Sequence, residues 1–540
     1  MSRKGRILVL DDEEKWRQAF VSILKQADFY VDAAASTDEA EKLLKESFYH
    51  LAIIDVSMLP GDGSDEGGII LLGALDEANL LGTMEVIVVS AYGTMERMRR
   101  AFKQYKVADF QPKDDFDPPV FVSLVERMFK DEDKDKDKVR INLNLDIHWQ
   151  QAKDADQIVT KLKMNGVSLK SNMELRERMT AELDDLLCRL FYTARSLLVN
   201  PLSPGQSGSA VLLATPFYGS GAGKPVVVKF GHLQKIDVEY KNFKEYAQPF
   251  IGGGRSTSII ELRRTPRLGG IVYSLLGTAS DHLESFNTFY AHADIAQIKK
   301  VLDGLVHETC GLWYANPGNL QLIDLTGEYQ QRLECTKENL ESALAQGLKS
   351  VQGKQKLYFE SLSGAFTNPI LFALEQDFSK PTYRCVTHGD LNGSNVLIDA
   401  KGQAWLIDFE LTGPGHILRD LAELDTVVRF HLLGAEEATL DERLQMEQAL
   451  GRAKRFTQVE QLASDFKTEN QALLKAYETT VHLRTLAYKL VAQNPSDDLD
   501  EYYIALLYYS LNTIRFYSLP SLQRQHALLS ASLLADHLHR

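Results

Sequence analysis

Between residues 5 and 130, short apolar runs alternate with amphipathic stretches. "RILVLDD", "YVDAAA", "LAIIDV", "EVIVVSA" and "ADFQPK" read as strands. Between the first two, Trp16, Phe20, Ile23 and Leu24 fall at helical spacing and make one apolar face. Strictly alternating strands and helices predict a parallel, doubly wound α/β sheet whose functional residues sit at the carboxyl ends of the strands. "KDEDKDKDK", residues 130 to 138, has no apolar residue to bury and reads as a solvated linker or a frayed helix end. After it come a strand-like "RINLNLDI", an acidic helical stretch, a strand-rich region and then mostly helix, including the rows of "YYIALLYYSLNTIRFY". Residues 285 to 380 are expected to be helical as well. The pattern divides the chain into residues 1–130, a connecting segment 131–175, a strand-rich part 176–280 and a helical part 281–540.

Length agrees with this division, because 540 residues exceed what one core organises. The net charge of −14 argues against general binding to nucleic acid or an anionic membrane. Cys188, Cys310, Cys335 and Cys385 are far apart and form no C-x-x-C pair, as expected of reduced core thiols in a cytoplasmic protein. The apolar run in "MSRKGRILVLDDEEKW" ends in acids, unlike a signal peptide or membrane anchor.

In the first segment the polar residues stand where strands end. Asp11 and Asp12 close the first strand, Asp55 the third, Ser90 the fourth and Lys113 the fifth. Three converging carboxylates repel one another unless a cation joins them, and hard oxygen ligands suit Mg²⁺. An Asp beside Mg²⁺ and a Lys can accept a phosphoryl group, because both cations offset the incoming charge. The segment resembles the response regulator receiver domain over its whole length. That resemblance makes Asp55 the phosphoacceptor. It assigns Mg²⁺ to Asp12, Asp55 and the Ser57 carbonyl, with Asp11 acting through water. Ser90 becomes the hydroxyl that moves onto the phosphoryl group, Lys113 its pairing lysine, and Phe110 the aromatic switch position. The pattern departs from the family at "PKDD", where "KP" is usual, and in a slightly longer "DVSMLPGDGSDEGG" loop.

"THGDLNGSNVLIDAKGQAWLIDFE", residues 387 to 410, places His388, Asp390, Asn395 and Asp408 in two apolar runs joined by an Ala-Lys-Gly turn. A nucleotide kinase needs a loop over the phosphates, a Lys on them, a carboxylate near the acceptor hydroxyl, and Mg²⁺ ligands. H-x-D-x-x-x-x-N supplies Asp390 for the hydroxyl and Asn395 for the metal, and the hairpin returns Asp408 to the same metal. This resembles the aminoglycoside phosphotransferase and choline kinase-like family, a branch of the two-lobed protein-kinase fold. "HGD" and "IDFE" point to that branch, with His388 and Asp390 as its catalytic-loop residues. "RDLAEL" matches the family's buttressing D-L-A, so Asp420 is expected to be structural. No A-P-E follows, and too little chain separates Asp408 from Asp420 for an activation segment.

Upstream, "KPVVVKFG" carries Lys229 in a context like V-A-I-K. The turn Gly205 to Ser209, with Ser207, Gly208 and Ser209, precedes it and stands for the phosphate loop. Glu239 is the first choice to pair with Lys229, and Glu245 is the second. "GSGAGKP" imitates a P-loop but is one residue short, and Pro225 replaces the Mg²⁺-binding hydroxyl, so it reads as a turn between strands. "MTAELDDLLCRLFYTARSLLVNPLSPGQSGSAVLLATPF" is similar to the start of kinase-like effector domains of the ternary complex associated type.

The resemblances imply a two-component signalling protein in which Asp55 phosphorylation regulates an ATP- and Mg²⁺-dependent phosphotransferase. A nucleotide-binding pseudokinase, or a kinase acting on protein, fits the same residues. The implied partners are a cognate histidine kinase or other phosphodonor, an unidentified phosphoryl acceptor and, through the receiver, a second copy of the chain. Residues from about 90 to 125 are where contact with the second domain, or with that second receiver, is expected.

Overall fold

The computed structural model describes residues 3–539, apart from 60–64, 79, 92–100, 130–138, 151–153, 161, 165–166, 204–208, 251–255, 277–282, 349–350 and 353–354. The chain forms two compact units. The first is Met1–Asp237 with Ile259–Ser274, and the second is Val238–Ser258 with Leu275–Arg540.

The first unit opens with β1 (Arg6–Leu10), α1 (Glu14–Gln26), β2 (Tyr30–Ala34), α2 (Thr37–Glu46), β3 (Leu51–Asp55), α3 (Gly67–Glu77), β4 (Glu85–Ser90), β5 (Asp109–Pro112) and α4 (Pro118–Phe129). The five strands are parallel in the order β2-β1-β3-β4-β5. Each central strand is buried on both faces, which is why it reads as an unbroken apolar run. One face packs Leu8, Ile54 and Val88 under α2 and α3. The other packs Val9, Ile53 and Val89 against Phe20 and Phe121.

Beyond residue 139, β6 (Asp146–Trp149), α5 (Met173–Leu190), β7 (Ser196–Ser203), β8 (Ser209–Tyr218), β9 (Val226–His232), β10 (Ser256–Arg264) and β11 (Leu268–Leu276) follow. The sheet order is β10-β11-β9-β8-β7-β6. β6 lies parallel to β7, whereas the pairs β7–β8, β8–β9 and β9–β11 are antiparallel. The expected connecting segment 131–175 therefore supplies an edge strand of this sheet. That strand is Asp146–Trp149 rather than "RINLNLDI", because Asn142 diverts the chain first. Its amide donates to the Cys188 carbonyl at 3.0 Å, and its carboxamide oxygen accepts from Asn144 N at 2.9 Å, a local turn that competes with strand pairing. "GSGAGKP" is a hairpin, with Phe217 opposite Ala222 and Tyr218 opposite Gly221.

α5 meets the receiver through several polar contacts. His50, at the amino end of β3, shares a 2.6 Å hydrogen bond with Asp185. Its Nδ1 accepts from Arg6 N at 2.9 Å, so Nε2 carries the proton and donates to Asp185. Arg189 donates Nε to Asp185 at 2.6 Å and Nη1 to the Thr83 carbonyl at 2.5 Å. Arg3 holds Asp184, and Arg267 donates to the Lys45 carbonyl. Phe129 packs on the core formed by Leu187, Leu197 and their neighbours. These contacts come from the amino ends of the receiver strands, opposite the end that carries Asp55. They differ from the expected use of the face between residues 90 and 125, whose residues 92–100 lie outside the description.

The second unit contains α6 residues from Val238 onward (α6, Leu233–Asn242), β12 (Arg384–Thr387), β13 (Val396–Asp399), β14 (Ala404–Leu406), β15 (Gly413–His416), α7 (Arg419–Thr426), α8 (Leu440–Leu450), α9 (Gln471–Val491), α10 (Asp500–Thr513) and α11 (Ser521–Leu538). α10 is apolar on all sides and is core, with Tyr502, Ile504 and Leu507 fully buried. No helix among the described residues is long and apolar enough to cross a membrane. The stretch 285–380 is not all helix. Gln321–Asp324 pairs Ser379–Thr382, and three short strands lie between Val351 and Thr367. The four cysteines are buried and unpaired.

Candidate functional sites

Asp11, Asp12 and Asp55 meet at the carboxyl ends of β1 and β3, with one ligand oxygen from each lying within 4.8 Å of the others. Lys113 Nζ, from the end of β5, is 2.7 Å from Asp55 and 2.9 Å from Asp11. Burial pushes the Asp11 carboxyl up to about 6 and raises Asp55 as well, although Lys113 opposes both shifts. Burial works against the Lys113 charge, yet its two carboxylate partners leave its pKa raised. One ammonium does not balance three carboxylates. Asp12 Oδ2 and Asp55 Oδ1 are buried and accept no hydrogen bond. A divalent cation with oxygen ligands fits that donor set, and receiver domains hold Mg²⁺ on such a cluster.

Close packing keeps the loop near the acid. Gly68, at the start of α3, donates its amide to Val56 O at 2.9 Å, and a Cβ there would collide with the Asp55 carbonyl. Ser57 is buried beside the loop, and Ser90 is buried at the end of β4. Phe110, in β5, is buried against the α2 and α3 face. The structure brings together Asp11, Asp12, Asp55 and Lys113, all named from the sequence, and adds Glu13, which was not, 3.6 Å from Lys113.

In the second unit, β13 and β14 form the expected hairpin, with Val396 opposite Leu406. Asp399 Oδ1 accepts from Lys401 N and Gln403 N, both at 2.9 Å, and Gly402 takes φ +74° to close the turn. Ile407 N donates to Asn395 O at 3.1 Å, which brings Asp408 back beside Asn395. Asp408 itself takes a left-handed φ of +70°.

The loop ahead of the hairpin is clamped from α7. Asp420, fully buried, accepts from His388 N at 2.7 Å, Gly389 N at 2.8 Å and Tyr314 Oη at 2.9 Å. Its structural part is as expected. Gly389 has φ +82°, and a Cβ there would meet Leu411 O and the guanidinium groups of Arg332 and Arg419. His388 is fully buried. Its Nε2 donates to Ile407 O at 3.0 Å, while its Nδ1 faces Asp390 N at 3.4 Å. Both ring nitrogens serve the main chain, so in this arrangement His388 braces the loop, in contrast to the catalytic part expected of it.

Asp390 is half-buried, and both of its oxygens are engaged. Asn392 Nδ2 donates to Oδ1 at 3.0 Å, and Asn395 Nδ2 donates to Oδ2 at 2.9 Å. Glu423, which sequence reading missed, accepts from Leu391 N at 3.0 Å. Withdrawal from water pushes its carboxyl well up, and the nearby charges of Asp390 and Asp420 add to this. The only signal in the sequence is its place three residues after Asp420, one helical turn along α7.

Of the remaining expected residues, Lys229 is buried in the middle of β9, between Val211 of β8 and Ile271 of β11. Glu239 is fully buried and accepts from Phe409 N at 3.3 Å, whereas Glu245 is exposed. Ser209 begins β8 and is buried. Gly205, Ser207 and Gly208 lie outside the described residues.

Comparison with known proteins follows the same division. The receiver segment is similar to NtrX-like response regulators of Rickettsia bellii (33% identical over 97 residues, 18% of this chain and 19% of the relative) and Rickettsia felis (32% over the same length). The matched part thus spans about a fifth of those relatives. Among solved structures, it is similar to a CheY-like receiver of Methanospirillum hungatei, at 22% identity, covering 23% of this chain and 92% of that one, with a TM-score of 0.21. A response regulator of Thermotoga maritima is also 22% identical, covering 23% of this chain and 96% of that one, with a TM-score of 0.20. The response regulator receiver domain model matches residues 7–126. The model for ternary complex associated domain 9 matches residues 194–358 and 365–515, more than half of the chain. The chain belongs to the ternary complex associated domain 9 family and carries that domain fused to a response regulator receiver domain.

Proposed function

We propose that residues 176–540 form an ATP-dependent phosphotransferase of the aminoglycoside and choline kinase-like type, controlled by phosphorylation of Asp55. The observation that carries this reading is the loop from His388 to Asn395. A buried aspartate clamps its main chain, and Asn395 fixes the Asp390 carboxylate through its amide nitrogen. That arrangement presents one carboxylate in a set orientation, as a residue that receives or orients a hydroxyl proton requires. Asn395 and Asp408 would hold Mg²⁺, which offsets charge on the transferred phosphoryl group. Lys229 would pair with the nucleotide phosphates, and Ser209 would end the loop above them. The receiver takes its phosphoryl group from a histidine kinase or another phosphodonor.

Calorimetry on the full chain tests the reading. Wild type should bind ATP with Mg²⁺. Asp408→Ala should weaken that binding, and Asp390→Ala should keep it while losing turnover on metabolite acceptors. Absence of Mg-ATP binding in wild type sinks the proposal. The second reading, a nucleotide-binding pseudokinase, is favoured by the engagement of both Asp390 oxygens by amides. Binding without turnover on any acceptor would select it.

A further inference from the structure

A cavity of about 390 Å³ lies between the base of the receiver and the sheet that follows it, within the first unit. His50, Thr83 and Glu85 line it from the receiver, and Arg140, Arg189 and Arg263 from the other side. Three guanidinium groups around one space repel one another, and burial holds the Arg263 pKa below its usual value, with Arg140 and Arg189 adding to the shift.

Some of their hydrogen-bonding capacity is spent. Arg189 uses Nε on Asp185 and Nη1 on the Thr83 carbonyl. Arg263 Nη2 stands 3.2 Å from Glu261. The rest is not. Arg189 Nη2 and Arg263 Nε are buried and have no acceptor among the described residues, and Arg263 Nη2 makes no aligned hydrogen bond. Buried donors left unpaired are costly, and an oxyanion is the acceptor that satisfies several at once. Glu85 shares the wall, so the ligand must place its charge on the arginine side. The space exceeds that of a bare ion and lies within the range of small-molecule sites.

We propose that this cavity binds a small phosphate-bearing ligand, received by Arg140, Arg189 and Arg263, at the joint between the receiver and the sheet. Guanidinium forks match phosphate oxygens in pairs, which favours a phosphate over a halide. A ligand there would bridge the two parts and would act as an input separate from Asp55.

The test is calorimetry of the full chain with sodium pyrophosphate, at constant ionic strength and with EDTA present, so that neither metal site contributes. Saturable binding of one pyrophosphate per chain is expected. Arg140→Gln and Arg263→Gln should each weaken it about tenfold or more, as the loss of a charge-assisted hydrogen bond implies. Arg140 is exposed, so its variant keeps the test open if Arg263→Gln does not fold. Neither arginine belongs to the receiver cluster or the hairpin. A parallel titration with a nucleoside monophosphate separates a nucleotide ligand from inorganic phosphate by which of them shows the arginine dependence. Heats equal to those of sodium chloride injections, or wild-type affinity in both variants, would overturn the proposal.

Discussion

Asp55 and Asp390 are both carboxylates at the ends of β-structure, but their surroundings differ in kind. Asp55 has a cation built into its site, with Lys113 at 2.7 Å, and two more acids that call for a metal. Among the described residues Asp390 has no cation on its oxygens: the amides of Asn392 and Asn395 donate to them, and the buried carboxyl of Glu423 lies beside them. The receiver site thus carries part of its own charge compensation. The hairpin site holds its carboxylate in place and leaves compensation to whatever binds. A site of the first kind can react as soon as a metal and a small phosphodonor arrive. A site of the second kind is expected to stay silent until a cationic or metal-bearing ligand completes it.

The largest expected effect separates the two sites outright. Acetyl phosphate with Mg²⁺ should label the wild-type chain at one residue, as read by mass spectrometry. Asp55→Ala should abolish the label, and Asp390→Ala should leave it unchanged. Equal labelling of wild type and Asp55→Ala would place the acceptor elsewhere and erase the contrast.

Next in size is the clamp beneath the hairpin. Asp420→Ala strands two buried amides that now donate to a carboxylate, which should cost about 3–5 kcal/mol in urea unfolding of the second unit. Asp420→Asn should recover part of that loss. A cost near zero for Asp420→Ala would mean that the loop does not depend on this clamp.

A third expectation concerns pH. His526 is fully buried, and burial holds its pKa down to about 4, despite its 2.8 Å contact with Glu447. Below about 6.5 the unfolded chain takes up a proton that the folded chain refuses until about 4. Stability is therefore fully present above the unfolded value and falls as the solution is acidified towards the folded one. The slope for one such group is about 1.4 kcal/mol per pH unit. Between pH 7 and pH 5 this one histidine should remove about 2 kcal/mol. Urea titrations of wild type and His526→Gln should show a shallower pH dependence in the variant. Parallel slopes would mean that His526 titrates normally.

The smallest effect sharpens the comparison at Asp390. Asn392→Ala removes one of its two amide contacts at a half-exposed position and should cost about 1 kcal/mol or less. If the pseudokinase reading is right, nucleotide affinity should be unchanged. If the carboxylate must be held on both oxygens for transfer, turnover should fall with no change in affinity.

The two sites were not equally legible in the sequence. Strands buried on both faces show as apolar runs, and every run of the receiver but the second ends in a candidate residue, so Asp12, Asp55, Ser90 and Lys113 could be read off in order. The hairpin was legible for the same local reason: Asn395 and Asp408 flank its two strands. What escaped notice depended on distant partners. His50 and Asp185 lie 135 residues apart, and neither has a motif around it. His388 looked chemical because it stands beside Asp390, and only its two main-chain contacts reveal that it is a brace. β6 was misplaced by a few residues because Asn142 satisfies backbone groups that an alternating pattern assigned to a strand.

The joint at the base of the receiver bears on how such a protein can be inherited. A charged stretch such as residues 130–138 looks like a convenient seam at which recombination could exchange one receiver for another. The seam runs through the chain, but the fit runs through side chains on both sides of it. A newcomer without a histidine to meet Asp185 would leave that buried acid with Arg189 alone, one without an arginine would lose the contact to the part-exposed Asp184, and an aromatic such as Phe129 must also arrive in place. Receiver and effector are then transmitted as matched halves, and a change at either surface restricts what the other can become.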